Sequence, residues 1–174
     1  MSQWNFDPAH SNAEFSVKHM MISTVRGSMS DLKGSIDFDP ENPGDSSVQA
    51  TFNVTSINTG MPDRDNHLRS ADFFDVEKYP TIEFKSTKVV AHDKNSADVV
   101  GDLTIKDVTK SVTLKVEYLG QATSPQGDTR AGFEARTEIN REDFGLKWNQ
   151  LLESGGVLVG KDIKIVLDIQ AIQA

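Results

Sequence analysis

The chain has 174 residues, 37% hydrophobic and 25% charged, which suits one domain over residues 1–174 and a sheet protein whose strands show one face to water. With 26 acidic against 18 basic residues the net charge is −8, which disfavours a nucleic acid or an anionic membrane surface as partner. There is no cysteine, so disulfides, thiolate catalysis and thiolate metal sites are excluded.

Taken in order, the N-terminus from Met1 to His10 has no basic region followed by an apolar run, so the chain as written reads as cytoplasmic, and as periplasmic only if a leader has been removed. No window approaches the roughly 18 apolar residues that span a bilayer. After a turn at Asp7–Pro8, Ala13, Phe15 and Val17 alternate with Glu14, Ser16 and Lys18. The alternation breaks at His19–Ile22, resumes at Val25, Gly27 and Met29, slips, and continues through Leu32, Gly34, Ile36 and Phe38. The slip reads as a bulge that re-aims the strand. Asp39–Gly44 is a turn, and Val48, Ala50, Phe52 and Val54 form the next apolar face.

The long connection that follows opens like a short helix, with Pro62 at its first turn, Asp63 and Asp65 at its positive end and Arg69 at its far end. Phe73–Phe74 and Tyr79–Pro80 lead into a strand begun by Ile82 and Phe84. A connection this long in a compact domain carries function or closes something off. Beyond a polar turn at His92–Asn95 come Val99, Gly101, Leu103 and Ile105, then a tight turn and Val112, Leu114, Val116 and Tyr118. After the Thr123–Asp128 loop, Ala131, Phe133, Ala135 and Ile139 face inward. A second irregular stretch, Arg141–Gly156, holds Phe144, Leu146 and Trp148, and the last strand alternates from Ile163 to Ala171.

About eight strands joined mostly by hairpin turns, with one short helix and no crossover helices, predict an all-β antiparallel fold, a sandwich or a closed barrel, and the even strand number in up-and-down order favours the barrel. Such a barrel is either filled by its own side chains or open to one small ligand. Ala13, Gly34, Ala50, Gly101, Ala131 and Ala135 on the inward faces either leave room or fill a taper.

No histidine pair has metal-ligand spacing and no Gly-x-Ser-x-Gly turn exists, so the case for an enzyme is thin and no cofactor is expected. His19 is either a hydrogen-bonded interior residue or a ligand contact. Arg64, Asp65, His67 and Arg69 form a polar cluster that either meets an anionic head group or, through salt bridges of Arg64 and Asp65, pins the helix to the barrel rim. Met20, Met21, Met29 and Met61 suit a pocket for a mobile tail or an ordinary core. Phe73, Phe74, Phe144 and Trp148 form an apolar lid or a plug.

The run Arg64-Asp65-x-His67-Leu68-Arg69-Ser70-x-Asp72-Phe73-Phe74-Asp75, ending in Tyr79–Pro80, resembles the signature of the YceI-like family. Asp7–Ser11, Phe15–Met20, Val25–Gly27, Gly101–Thr104, Ala131–Ala135, Phe144–Leu146 and Val159–Gly160 resemble it in the same order. The resemblance implies an extended lipocalin-like barrel of eight antiparallel strands whose pore takes a long-chain isoprenoid lipid, an isoprenoid quinone or a polyprenyl phosphate. It also implies a homodimer. Joined to the inward faces, it implies ligand contacts from Phe15, Val17, His19, Met20, Met29, Ala50, Phe52, Phe84, Phe133 and Ala135. The two irregular stretches would add Leu68, Phe73, Phe74, Phe144, Leu146 and Trp148. The expected function is lipid binding for transport, storage or sequestration. The alternatives are an esterase or isomerase acting on a bound prenyl or acyl chain, and a dimeric stress-related scaffold.

Overall fold

Wherever period-two alternation persists in the sequence, the computed structural model, which describes residues 1–174, has strand. The elements are β1 (Ser2–Phe6), β2 (Asn12–His19), β3 (Ser23–Met29), β4 (Leu32–Phe38), β5 (Ser47–Asn53), α1 (Pro62–Arg69), β6 (Thr81–Ala91), β7 (Ser96–Ile105), β8 (Val108–Thr123), β9 (Thr129–Asn140) and β10 (Asp162–Gln173). Their hydrogen-bonded order is β1-β4-β5-β6-β7-β8-β9-β10-β2-β3, and β1 also pairs with β10. All pairings are antiparallel.

Ten segments thus make the eight staves of a closed barrel. β1 and β2 lie one after the other along β10, with Phe6 opposite Ala171 and Asn12 opposite Asp168, separated by the short 3-10 turn Pro8–His10. β3 and β4 share the neighbouring stave, β3 on β2 and β4 on β1. Their junction is the expected slip. Asp31 takes a φ of +56°, its carboxylate accepts from Asn53 Nδ2 at 3.3 Å, and Ser30 N donates to Ser56 Oγ at 3.1 Å.

The registers sort the connections into two ends. The capped end gathers the β2–β3 turn, the 54–80 connection with α1, the β7–β8 turn and the 141–161 stretch. The other end, the polar end, gathers both termini and the turns at 39–46, 92–95 and 124–128. Twelve-residue strands β9 and β10 extend about 37 Å; at a barrel tilt of about 40° the wall stands about 28 Å tall.

α1 has the expected ends: Pro62 in the first turn with Asp63 and Asp65, and His67 and Arg69 in the last. One apolar cluster lines the inside of the barrel from Trp4 and Phe38 to Phe73 and Leu146. Two of the small inward residues leave no room after all. A Cβ at Gly34 would collide with the Gln49 carbonyl and the Phe6 ring, and one at Gly101 with the Phe84 ring, so aromatic side chains lie across both glycines. No helix is long and apolar enough to cross a membrane.

Candidate functional site

The inward faces do not meet at the barrel axis. Between them runs a cavity bounded at the capped end by Ile57, Leu68, Phe73, Phe74, Leu146 and Val159, and at the polar end by Ser46, Ser47, Asn95 and Ser96. The centre of a water-sized sphere can move through about 270 Å³ of it. Spread along about 28 Å of height, and with the sphere's own radius of about 1.4 Å restored, this is a bore about 3 Å in mean radius. That is wide enough for one hydrocarbon chain. Its mid-section is walled by Phe15, Ala50, Phe52, Leu114, Phe133, Ala135 and Leu167, all without hydrogen-bonding side chains.

The cap is held by hydrogen bonds between α1 and the segment before it. Asp65, buried at 6% exposure, accepts from Thr59 N at 2.9 Å and Thr59 Oγ1 at 2.6 Å. Arg64 Nε donates to Thr59 Oγ1 at 2.7 Å and its Nη2 to Thr59 O at 2.8 Å. Arg69 reaches the carbonyls of Thr55 and Ile57 at 3.1 and 2.9 Å. Arg64 and Asp65 therefore pin the helix as hydrogen-bond partners of one threonine; the expected salt bridges are absent because both groups meet Thr59 and neither meets an opposite charge. His67 Nε2 bonds the Asp72 carboxylate at 2.9 Å. Its ring stands edge-on to Phe73 and Trp148, with centroids 5.1 and 4.7 Å away.

The 145–161 stretch is organised around Arg141. Gly145, at φ +80°, ends the 3-10 turn Arg141–Phe144 and reverses the chain so that Leu146 N returns to Arg141 O. The Arg141 guanidinium donates to the carbonyls of Gly160, Leu146, Trp148 and Val159 at 2.7, 2.6, 3.0 and 3.2 Å. Burial pushes its pKa down from the usual arginine range, partly offset by the nearby Glu142 carboxylate. At the polar end the Asp93 carboxylate is held below its usual range by the backbone N–H of Asn95, with Ser96 adding to it.

Of the residues expected to contact a ligand, Phe15, Val17, Met29, Ala50, Phe52, Leu68, Phe73, Phe74, Phe84, Phe133, Ala135 and Leu146 face the cavity. Four do not. His19 closes β2 in a bridge to Val159, beyond the cavity. Met20 sits in the β2–β3 turn with φ +52° and is 41% exposed, because β2 ends at His19 and the chain turns there. Phe144, 2% exposed, is buried in the core away from the bore. Trp148 backs Phe73 from outside, ring centroids 5.4 Å apart. Phe73 and Phe74 therefore close the bore without the other two. Arg141 is the buried charged residue at the cavity that the sequence reading misses, together with lining residues such as Ile57 and Val159. The signal was present: Ala131, Phe133, Ala135, Thr137 and Ile139 alternate inward, and Arg141 is the next in step.

The arrangement presents apolar surface along the bore's mid-section, with Arg141 at the capped end and Asp93 and Lys94 at the polar end. A YceI-like domain profile matches residues 4–171. The chain is 42% identical over 165 residues to a UPF0312 protein of Staphylococcus aureus, covering 94% of each. Its fold is similar to that of BcnA from Burkholderia cenocepacia, with a TM-score of 0.83, 23% identity, and 95% and 98% of the two chains covered. It is also similar to a polyisoprenoid binding domain of Saccharophagus degradans implicated in plant cell wall breakdown, with a TM-score of 0.73, 15% identity and all of both chains covered.

Proposed function

This chain belongs to the YceI-like family, and from that premise we propose that it binds one long-chain isoprenoid lipid, an isoprenoid quinone or a polyprenyl phosphate, with the tail threaded along the bore for transport, storage or sequestration. The observation that carries the reading is the bore itself, apolar along its mid-section and one hydrocarbon chain wide. A packed core leaves few voids larger than a water molecule, so a continuous tunnel is a feature to be explained by an occupant. The name of the Saccharophagus degradans domain points to the same class of lipid.

Affinity for such a ligand comes from taking tail surface out of water. At a realised efficiency of about 0.3 kcal/mol per heavy atom for larger ligands, a five-carbon unit contributes about 1.5 kcal/mol. Carriage is favoured over turnover of a bound chain because the middle of the wall offers hydrocarbon, and the Thr137 hydroxyl that borders the bore already donates to Thr113 O at 2.9 Å. An esterase needs a nucleophile paired with a base against the reacting carbon. Extraction of protein purified from its native source with organic solvent, followed by mass spectrometry, tests the reading. A stoichiometric prenyl-chain lipid is expected. A protein free of lipid that also fails to take up added prenyl lipids would overturn it.

A further inference from the structure

Arg141 carries the bore's one buried charge. The other charged residues at the cavity, Glu14, Asp93 and Lys94, are exposed, whereas Arg141 is 3% exposed and continues the inward face of β9. A guanidinium has five N–H groups in a fixed fork. Nε takes Gly160 O, Nη1 takes Leu146 O and Trp148 O, and Nη2 takes Val159 O at 3.2 Å, the longest of the set. One N–H on Nη2 has no acceptor in the protein. The four carbonyls supply dipoles but no negative charge, and the Glu142 carboxylate, which acts on Arg141 only through space, pairs with Lys161 at 3.9 Å instead. Buried charges in proteins are ordinarily paired. Arg64 and Arg69 hold the cap in a similar way from less buried positions, where water screens them.

Building on the lipid-binding reading, we infer that Arg141 is the head-group site of the bore. A lipid oxyanion, phosphate or carboxylate, sits at the capped end against the free Nη2 N–H, and the tail runs past Ile139 and Ala135 toward Phe133, Tyr118 and the polar end. An oxyanion supplies both things that Arg141 lacks, an acceptor and a compensating charge, in surroundings of low dielectric where such a bond is strongest. A neutral alcohol supplies at most the acceptor. The chain is acidic overall, so no general attraction to anions accounts for a preference of this kind.

The test uses geranylgeranyl phosphate, geranylgeranoic acid and geranylgeraniol, which share one tail. Wild-type protein is expected to bind the two anions roughly tenfold more tightly than the alcohol, the size of one charge-assisted hydrogen bond. Arg141→Gln should collapse that difference. Comparing phosphate with carboxylate shows which anion the site prefers. Equal affinity for all three ligands, or a preference that persists in Arg141→Gln, overturns the inference while leaving tail binding intact. Failure of every ligand to bind refutes the lipid reading instead.

Because Arg141 also holds the 145–161 stretch, the glutamine variant can fail to fold, and a second measurement fixes the orientation in otherwise intact protein. The chain has two tryptophans, Trp4 in β1 near the polar end and Trp148 behind Phe73 at the capped end. A geranylgeranyl phosphate carrying a nitroxide at the far end of its tail should quench the tryptophan emission of Trp148→Phe, where Trp4 remains. It should leave that of Trp4→Phe largely unchanged. The reverse pattern places the head at the polar end and overturns the inference.

Discussion

Replacing Ala135 with Phe places a ring inside a bore about 3 Å in mean radius. Ala135 lies on β9 opposite Val116 and Leu167, faces the cavity, and stands six residues from Arg141. At about 3.4 Å per residue and a tilt of about 40°, the ring divides the bore about 16 Å below the capped end. An extended chain advances about 1.2 Å per chain atom, so an isoprene unit with four chain atoms takes about 5 Å, and the full height of about 28 Å takes about six units. The longer compartment left by the plug takes about three. The loss is then about three units at about 1.5 kcal/mol each, roughly a thousandfold in Kd for a long prenyl ligand, with short ligands little affected.

Because the ring enters open space, melting of Ala135→Phe should stay close to that of the wild type. The same change at Ala131, 1% exposed on the same strand face but away from the cavity, should cost about 1–3 kcal/mol of overpacking and lower Tm by several degrees. Titration of long and short prenyl alcohols, with calorimetric melting of both variants, makes the comparison. Unchanged long-chain affinity in Ala135→Phe, or equal destabilisation at the two positions, would refute a bore running past Ala135.

Arg69→Gln gives up the bonds to Thr55 O and Ile57 O and should lower stability by about 1–3 kcal/mol in chemical denaturation, with little change in the affinity difference between a prenyl phosphate and its alcohol. Loss of that difference would move the head-group contact to α1. Acid stability should depend on Asp7 and Asp128. The His10 hydrogen bond, with Ala9 N–H and Arg130, holds the Asp7 carboxyl below its usual range, and Arg130 with Ser124 does the same for Asp128. Both pKa values are lower folded than unfolded, so their contribution is complete above about pH 4 and is lost as pH falls below it. Asp7→Asn should lower Tm at neutral pH and flatten its fall between about pH 4 and pH 2. A parallel fall in both proteins would contradict this.

Much of the barrel was legible because alternation is local. The inward set of β10, from Ile163 to Ala171, and the Pro62 helix each follow from residues a few positions apart. The slip between Met29 and Leu32 was visible for the same reason, since a change of parity shows within one strand. The barrel was expected from the strand count, but the pairing that closes it was not legible: β1 and β10 lie at opposite ends of the chain, and the split of one stave into β1 and β2 appears only once both are laid along β10. At the site, Met20 looked like a pocket residue for its flexible side chain although it lies where the alternation breaks, and alternation stopped one step too early left out Arg141. Gly34 and Gly101 looked like open wall because the rings that cover them, Phe6 and Phe84, come from other strands.

The threaded bore is tested most directly by dissociation constants for prenyl alcohols of increasing length, all with the same head. Affinity should rise roughly tenfold per isoprene unit, at about 1.5 kcal/mol each, and level off near six units, when the tail fills the wall's height of about 28 Å. A response that is flat from the shortest alcohol onward would contradict a tail bound along the barrel.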